Sequence, residues 1–338
     1  MTEIRWPQAT EATPQLTMLP DEFERRVGRG EYRGLEFLEV RAKTIVNSVD
    51  SGGRLPFNFT INAYRGCSHA CTYCFARPTH EYLGLDRGTD FDTKIVVKIN
   101  AVERVLAETA RWCGESIAMG TNTDPYQPAE GKYRLTRGIV EVLAKRAIPF
   151  SILTKSPLVL RDLDLLAAAA SAAEVRVDFS IGTLDEAVWR ETEPGTPHPK
   201  RRIDAVAKLN ESGVPAGVLM GPVIPGLSDG PEQLAEVVQA AVAAGATFVG
   251  AIPLHLKPGV KEHFVAWLAA EHPELVDEYA ALFAGRSFQS RGRSSLLTRR
   301  VRKLLKEHGG PVAERRMRAP EAPRSRQTQL AFDVDAAD

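Results

Sequence analysis

Cysteine is scarce in this chain, with four in 338 residues. That excludes a disulfide scaffold, which concentrates many cysteines in few residues. Long apolar runs are also missing. None reaches the roughly 18 residues that a membrane helix needs. The opening Met1-Thr2-Glu3-Ile4-Arg5-Trp6 lacks the charged-then-apolar order of a secretory leader. The expected location is the cytoplasm. Neither sign of charge dominates, since 43 Lys and Arg balance 43 Asp and Glu. Hydrophobic content of 43% and charged content of 25% are ordinary globular values. The length accommodates one large domain with additions, or two domains.

The charge balance hides an asymmetry. From Gly285 to Arg326 there are thirteen Lys and Arg against three Glu, net +10, which leaves −10 for the rest of the chain. A basic C-terminal segment on an acidic body suits a polyanion such as DNA, or is a solvated tail.

Residues 1–57 read as irregular, with one short candidate strand at Leu35–Val40. Strand-like runs then follow at Phe59–Asn62, Lys94–Lys98, Ser116–Met119, Phe150–Leu153, Arg176–Ile181, Ala216–Met220 and Thr247–Pro253. Helical spacing of apolar residues fills the intervals at Ala101–Trp112, Leu135–Arg146, Leu163–Ala173, Pro199–Ser212 and Pro231–Ala243. Such alternation implies parallel strands with crossover helices, and about six units imply an open or closed α/β barrel. Two amphipathic helices at Val260–Leu268 and Pro273–Phe283 are expected to pack across a barrel end. A further helix is expected at Ser294–Glu307. The expected divisions are an N-terminal extension (1–57), a barrel (58–257), a helical cap (258–285) and a basic, partly disordered tail (286–338).

Three of the four cysteines sit together in Cys67-Ser68-His69-Ala70-Cys71-Thr72-Tyr73-Cys74, spaced C-x3-C-x2-C, just after a strand-like run. A [4Fe–4S] cube offers four irons, and thiolate is their usual ligand. Three clustered thiolates leave one iron open. A structural zinc site would call for further ligands, commonly a second pair, and only Cys113 remains, at an expected helix end. A ferredoxin-type cluster, as in an electron carrier or redox sensor, needs a fourth nearby thiolate.

The stretch from Ile61 to Arg77 resembles the spore photoproduct lyase-like family of the radical S-adenosylmethionine (SAM) superfamily. Thr123-Asp124-Pro125-Tyr126-Gln127-Pro128-Ala129-Glu130 adds to the resemblance, as do Glu193-Pro194-Gly195-Thr196-Pro197 with Arg202. So does Gly221-Pro222-Val223-Ile224-Pro225-Gly226-Leu227-Ser228-Asp229. The similarity spans about residues 35–285, and many family members carry a DNA repair label. It implies a partial (β/α)6 barrel of TIM type with a [4Fe–4S] cluster at its mouth. It also implies reductive cleavage of SAM, hydrogen abstraction from a substrate, and a flavodoxin- or ferredoxin-type reductant as partner. Chemistry on a peptide or small molecule stands beside the nucleic-acid reading.

By that resemblance Cys67, Cys71 and Cys74 are the iron ligands and Tyr73 lies beside the adenine of SAM. Thr123 and Asp124 replace the usual Gly-Gly-Glu at the SAM ammonium. Lys155 meets the SAM carboxylate or ribose, Ser180 lies near the ribose or methionine, and the Val223–Gly226 loop touches adenine. Glu193, Arg202, His255 and Lys257 are further candidates near the mouth, and His69 and His80 flank the cysteine loop. Spore photoproduct lyases place a hydrogen-donating cysteine where this chain has Gly120 and Thr121, so the same product is not implied. At the far end, Gln327-Thr328-Gln329-Leu330-Ala331-Phe332 resembles a bacterial sliding-clamp-binding peptide.

Overall fold

The computed structural model describes residues 23–49 and 55–311. The clamp-like peptide at Gln327–Phe332 and the last five arginines of the basic segment lie outside the described residues.

In chain order the strands are β1 (Glu24–Val27), β2 (Glu36–Val40), β3 (Val46–Ser48), β4 (Phe59–Ile61), β5 (Tyr64–Arg65), β6 (Lys94–Lys98), β7 (Ile117–Met119), β8 (Phe150–Thr154), β9 (Val175–Ser180), β10 (Ala216–Val223) and β11 (Val249–Pro253). The helices are α1 (Thr89–Thr93), α2 (Ala101–Glu108), α3 (Pro128–Tyr133), α4 (Leu135–Lys145), α5 (Leu163–Ala172), α6 (Glu186–Thr192), α7 (Pro199–Glu211), α8 (Pro231–Ala243), α9 (Val260–Glu271), α10 (Val276–Leu282) and α11 (Arg291–Glu307).

The main sheet has the order β11-β10-β9-β8-β7-β4-β3. Its six strands from β4 to β11 are parallel neighbours, and β3 closes one edge antiparallel. Helices α2, α4, α5, α7 and α8 occur in the successive crossovers, and α11 follows β11. These are six strand–helix units on an open sheet, the expected α/β partial barrel. Sequence supplies both periods: Val175–Ser180 buries nearly every residue, as a strand covered on both faces must. Leu135–Lys145 instead buries one helical face. Helix starts are marked chemically. Asp185 accepts from the backbone N–H groups of Ala187 and Val188, and Pro residues open α7 and α8.

Two expectations change. Lys94–Lys98 does not join the main sheet; as β6 it belongs to a second sheet of order β1-β2-β6-β5. Its Ile95 and Val97 enter the main core with Phe37, while Val96 packs with Leu38, Val40 and Leu83. A strand apolar on both faces reads the same in either sheet, so the pattern could not assign it. The N-terminal segment, expected to be irregular apart from a strand at Leu35–Val40, supplies β1 and β3 as well as that strand, β2, within the described residues.

Helix α11 begins three residues earlier than expected, where Ser290 Oγ accepts from the N–H of Arg293 at 3.3 Å. It packs on α8 and β11 and buries Val301 and Leu305 in the main core, so it is the sixth barrel helix. Helices α9 and α10 form a second core. Val260, Phe264, Leu268, Tyr279 and Phe283 meet Ile224, Leu227, Leu254 and Leu256 from the loops after β10 and β11, together with Cys71 and Tyr73. The expected packing across one barrel end is therefore a roof over the cysteine loop. No helix among the described residues is long and apolar enough to cross a membrane.

The loop after β7 turns at Gly120, whose φ of +89° is open to glycine and strained for other residues. A Cβ there would overlap the carbonyl oxygen of Leu153 in β8. Gly120→Ala is therefore expected to cost about 3 kcal/mol or more in folding free energy. Urea unfolding of the purified variant measures it, and a midpoint equal to that of the parent would contradict the assignment.

Candidate active site at the carboxyl ends of the strands

The cysteine loop leaves the small sheet at β5 and is held by groups far away in sequence. Gly66 has φ of +78°, and a Cβ would stand 2.8 Å from the His80 ring and 2.9 Å from Phe91 O. The Gly66 carbonyl accepts from Thr123 Oγ1 at 2.8 Å and from Gln127 Nε2 at 3.0 Å, while Gln127 Oε1 accepts from Ser68 N. On the other side Arg77 is buried. Its guanidinium donates to the Cys71 carbonyl at 2.9 and 3.1 Å and pairs with Asp92 at 2.9 Å. Gly195 closes against the loop, where its N–H donates to His69 O and a Cβ would overlap Ser68 O. Backbone carbonyls taken from water need such donors, so Gln127, Arg77 and Gly195 shape the loop. All three fall within the sequence motifs, yet sequence alone assigns Gln127 and Gly195 no role. No local pattern flags a glutamine that reaches back sixty residues.

Cys67 and Cys71 are buried and Cys74 is half-buried. Burial pushes all three thiols up, Cys71 to about 12. Cys113, the fourth, is exposed in the turn between α2 and β7, at the amino end of the parallel strands. It is therefore at the opposite end of the barrel from the loop.

Beside the loop lies a buried charged network. Glu193 is paired with Arg202 at 2.6 Å and with Lys155 at 3.0 Å, and it accepts from the Tyr73 hydroxyl and from Thr196 Oγ1. Burial alone would raise the Glu193 pKa. The Arg202 and Lys155 cations reverse this and hold it well below the usual carboxylate range. Lys155 Nζ also donates to Ser180 Oγ at 2.6 Å and stands 5.6 Å from the Tyr73 ring centroid. Ser180 Oγ in turn donates to Gly221 O at 2.6 Å. Arg202 reaches the Ser180 carbonyl at 2.9 Å.

Asp124 forms the second node. Oδ1 accepts from Tyr126 N at 2.8 Å and Thr154 Oγ1 at 2.7 Å. Oδ2 accepts from Lys155 N at 2.7 Å and lies 3.3 Å from His69 Nδ1. Burial works to raise its pKa, but His69 and these donors bring it below the ordinary value. Tyr73, Lys155, Ser180 and Glu193 thus meet in one place. Asp124 is joined to it through the Lys155 backbone and touches the cysteine loop at His69, while the neighbouring Thr123 holds the loop through the Gly66 carbonyl. His80 is buried in the loop's support, with Nε2 3.0 Å from Lys94 O and its ring edge-on to Phe91.

Glu193 and Asp124 both bind protons less tightly folded than unfolded. Their stabilisation is complete above about pH 4.5 and is lost as pH falls through their folded values. Glu193→Gln leaves Arg202 and Lys155 without a counter-charge. It is expected to cost about 3–5 kcal/mol near neutral pH, with the deficit shrinking in acid. Urea midpoints of both proteins across pH give the answer; a deficit that is constant with pH would oppose it.

The chain is 42% identical over 311 residues to the uncharacterised protein Rv2578c of Mycobacterium tuberculosis, covering 91% of this chain and 89% of that one. It is 25% identical over 164 residues to the radical SAM Nalpha-GlyT isomerase of Pseudomonas phage M6, covering 48% of this chain and 32% of that protein. In fold it is similar to spore photoproduct lyase. One such structure, with bound AdoMet and dinucleoside spore photoproduct, superposes with a TM-score of 0.61 at 17% identity, covering 80% of this chain and 78% of the other. Residues 61–241, more than half of the sequence, match the Radical SAM superfamily, whose members use a [4Fe–4S] cluster and SAM. The chain belongs to the radical SAM superfamily.

Proposed function

We propose that Cys67, Cys71 and Cys74 hold a [4Fe–4S] cluster with one iron left for SAM, and that the enzyme removes a hydrogen atom from a nucleic-acid substrate. The observation that carries the first part is the placement of the thiols. Three converge on one loop at the carboxyl end of the sheet, and Cys113 sits at the other end.

The residues present fit such a group. The loop's carbonyls are consumed by Thr123, Gln127, Arg77 and Gly195, so its shape is set without the cysteine side chains. Burial raises the pKa of all three thiols, and binding iron would displace their protons. When bound, the cluster supplies the electron that cleaves SAM to methionine and a 5′-deoxyadenosyl radical. Superfamily enzymes generally take that electron from a flavodoxin- or ferredoxin-type donor.

The chain's own part is orientation and exclusion of water. Lys155 has three N–H donors. Two are directed at Ser180 and Glu193, which leaves one for the SAM carboxylate. Ser180 uses its hydroxyl hydrogen on Gly221, so its role is to aim Lys155. Thr123 and Asp124 serve SAM by holding the loop and the Lys155 backbone in place. Tyr73 is fixed by Glu193 and offers its ring at the same node. The α9–α10 roof covers Cys71 and Tyr73 with hydrocarbon.

The substrate class is supported by the spore photoproduct lyase structures with dinucleoside photoproduct and by the run of cations on α11. The chain has Gly120 and Thr121 after β7 and no cysteine there, so we assign hydrogen abstraction and not a particular repair product.

Anaerobic reconstitution should give a cluster whose spectrum changes on adding SAM, with release of 5′-deoxyadenosine on reduction. Cys71→Ala is expected to abolish release, and full release by this variant would overturn the reading. Lys155→Ala is expected to weaken SAM binding about tenfold or more, as loss of one charge-assisted hydrogen bond predicts. Equilibrium titration of the cluster-loaded protein measures it.

A further inference from the structure

Phe75 directly follows the last cysteine of the loop and is 45% exposed. Its ring centroid lies 6.0 Å from that of His255, in the loop after β11. His255 stacks on Phe288, with centroids 5.3 Å apart and planes inclined by 16°. Phe288 is 59% exposed. The row is built, not incidental. His255 and Phe288 form an antiparallel bridge, Leu256 N donates to Ser287 O at 2.8 Å, and Gln289 Nε2 donates to Leu254 O at 3.2 Å. Single exposed apolar residues are common on any surface. Three π-systems in one row, with His255 between Phe75 and Phe288, the outer two open to solvent and one of them abutting the cysteine loop, are a different matter.

Charge gives the row its context. Three residues beyond Phe288, α11 begins and carries seven Arg and Lys against one Glu. Arg293 pairs with Glu278 and Lys303 with Glu307. Among the described residues Arg291, Arg299, Arg300, Arg302 and Lys306 form no ion pair. Lys257 is exposed two residues from His255. The apolar face of α11 is turned into the barrel through Val301 and Leu305, so its cations face outward. Burial and Lys257 lower the His255 pKa below its ordinary value.

We propose that Phe75, His255 and Phe288 form a stacking platform for an unpaired nucleobase, with the phosphates of the same strand running along the basic face of α11. Exposed flat rings beside a line of cations are the combination that single-stranded nucleic acid recognises. An aromatic peptide would match the rings but supplies no charge to α11 unless it is also acidic. The proposal rests on the radical SAM reading only for the chemistry that comes after base capture. The loop bearing Phe75 is the one bearing the three cysteines, so a base on this platform is beside the reacting centre.

The test uses the full-length, cluster-loaded protein and a fluorescein-labelled oligothymidine of about 12 nucleotides. Binding is expected to fall about tenfold or more between about 50 and 200 mM salt. Phe288→Ala is expected to weaken binding by about tenfold, and Phe288→Trp to retain it with quenching of the added tryptophan. On a strand of equal length with abasic sugars, Phe288→Ala and the parent should bind alike. Equal loss on normal and abasic strands would overturn the platform, as would tighter binding of an acidic Glu-Phe repeat peptide than of the oligonucleotide. SAM-dependent spectral change in the same preparations separates the two ideas: its absence sinks the radical SAM reading, while its presence without base-dependent binding sinks only the platform.

Discussion

A carboxylate with no access to water must have its charge answered by protein, and Glu193 is where this chain meets that demand. Its two oxygens gather Arg202 from α7, Lys155 from the end of β8, Thr196 from the turn before α7 and Tyr73 from the cysteine loop. A buried charge that loses a partner costs far more than the partner contributed in water. The network therefore holds as a unit. Lys155 also carries the constraint to Ser180 on β9 through its side chain and to Asp124 through its backbone. Asp124 passes it on to His69 inside the loop. Separate strand ends are thereby placed relative to one loop by few degrees of freedom, and this is the positional demand that radical chemistry places on a protein.

Around that network the two cores have different duties. The main core fixes the sheet and its helices. The second joins α9 and α10 to the loops after β10 and β11 and reaches Cys71 and Tyr73. Tyr279 links them by donating to Pro225 O at 2.8 Å. The roof is thus attached to the mouth through loops and not through the sheet, and it can change without disturbing strand register.

Much of this is legible in sequence because it is local. The C-x3-C-x2-C spacing, the alternation of periods two and 3.6, and the position of Lys155 and Ser180 at strand ends need only neighbouring residues. The hidden part depends on distant contacts. Gly66 and Gln127 are sixty-one residues apart, and Phe75 meets His255, as His255 meets Phe288, only once the sheet has formed. Sequence misplaces β6 because a strand covered on both faces carries no mark of its sheet. The basic C-terminal segment is visible as charge, but the apolar stripe of Val301 and Leu305 makes part of it a barrel helix.

Helix α11 thereby ties surface to interior in a way that constrains how the protein can vary. Its cations are not on an appendage. They share a helix with residues that seal the final parallel strand. A lineage or an engineer wishing to remove the positive face cannot delete the segment, because deletion would uncover β11 and α8. The charge can be altered only one side chain at a time, against a fixed backbone. The charge on that face is therefore open to gradual tuning while the architecture beneath it is not.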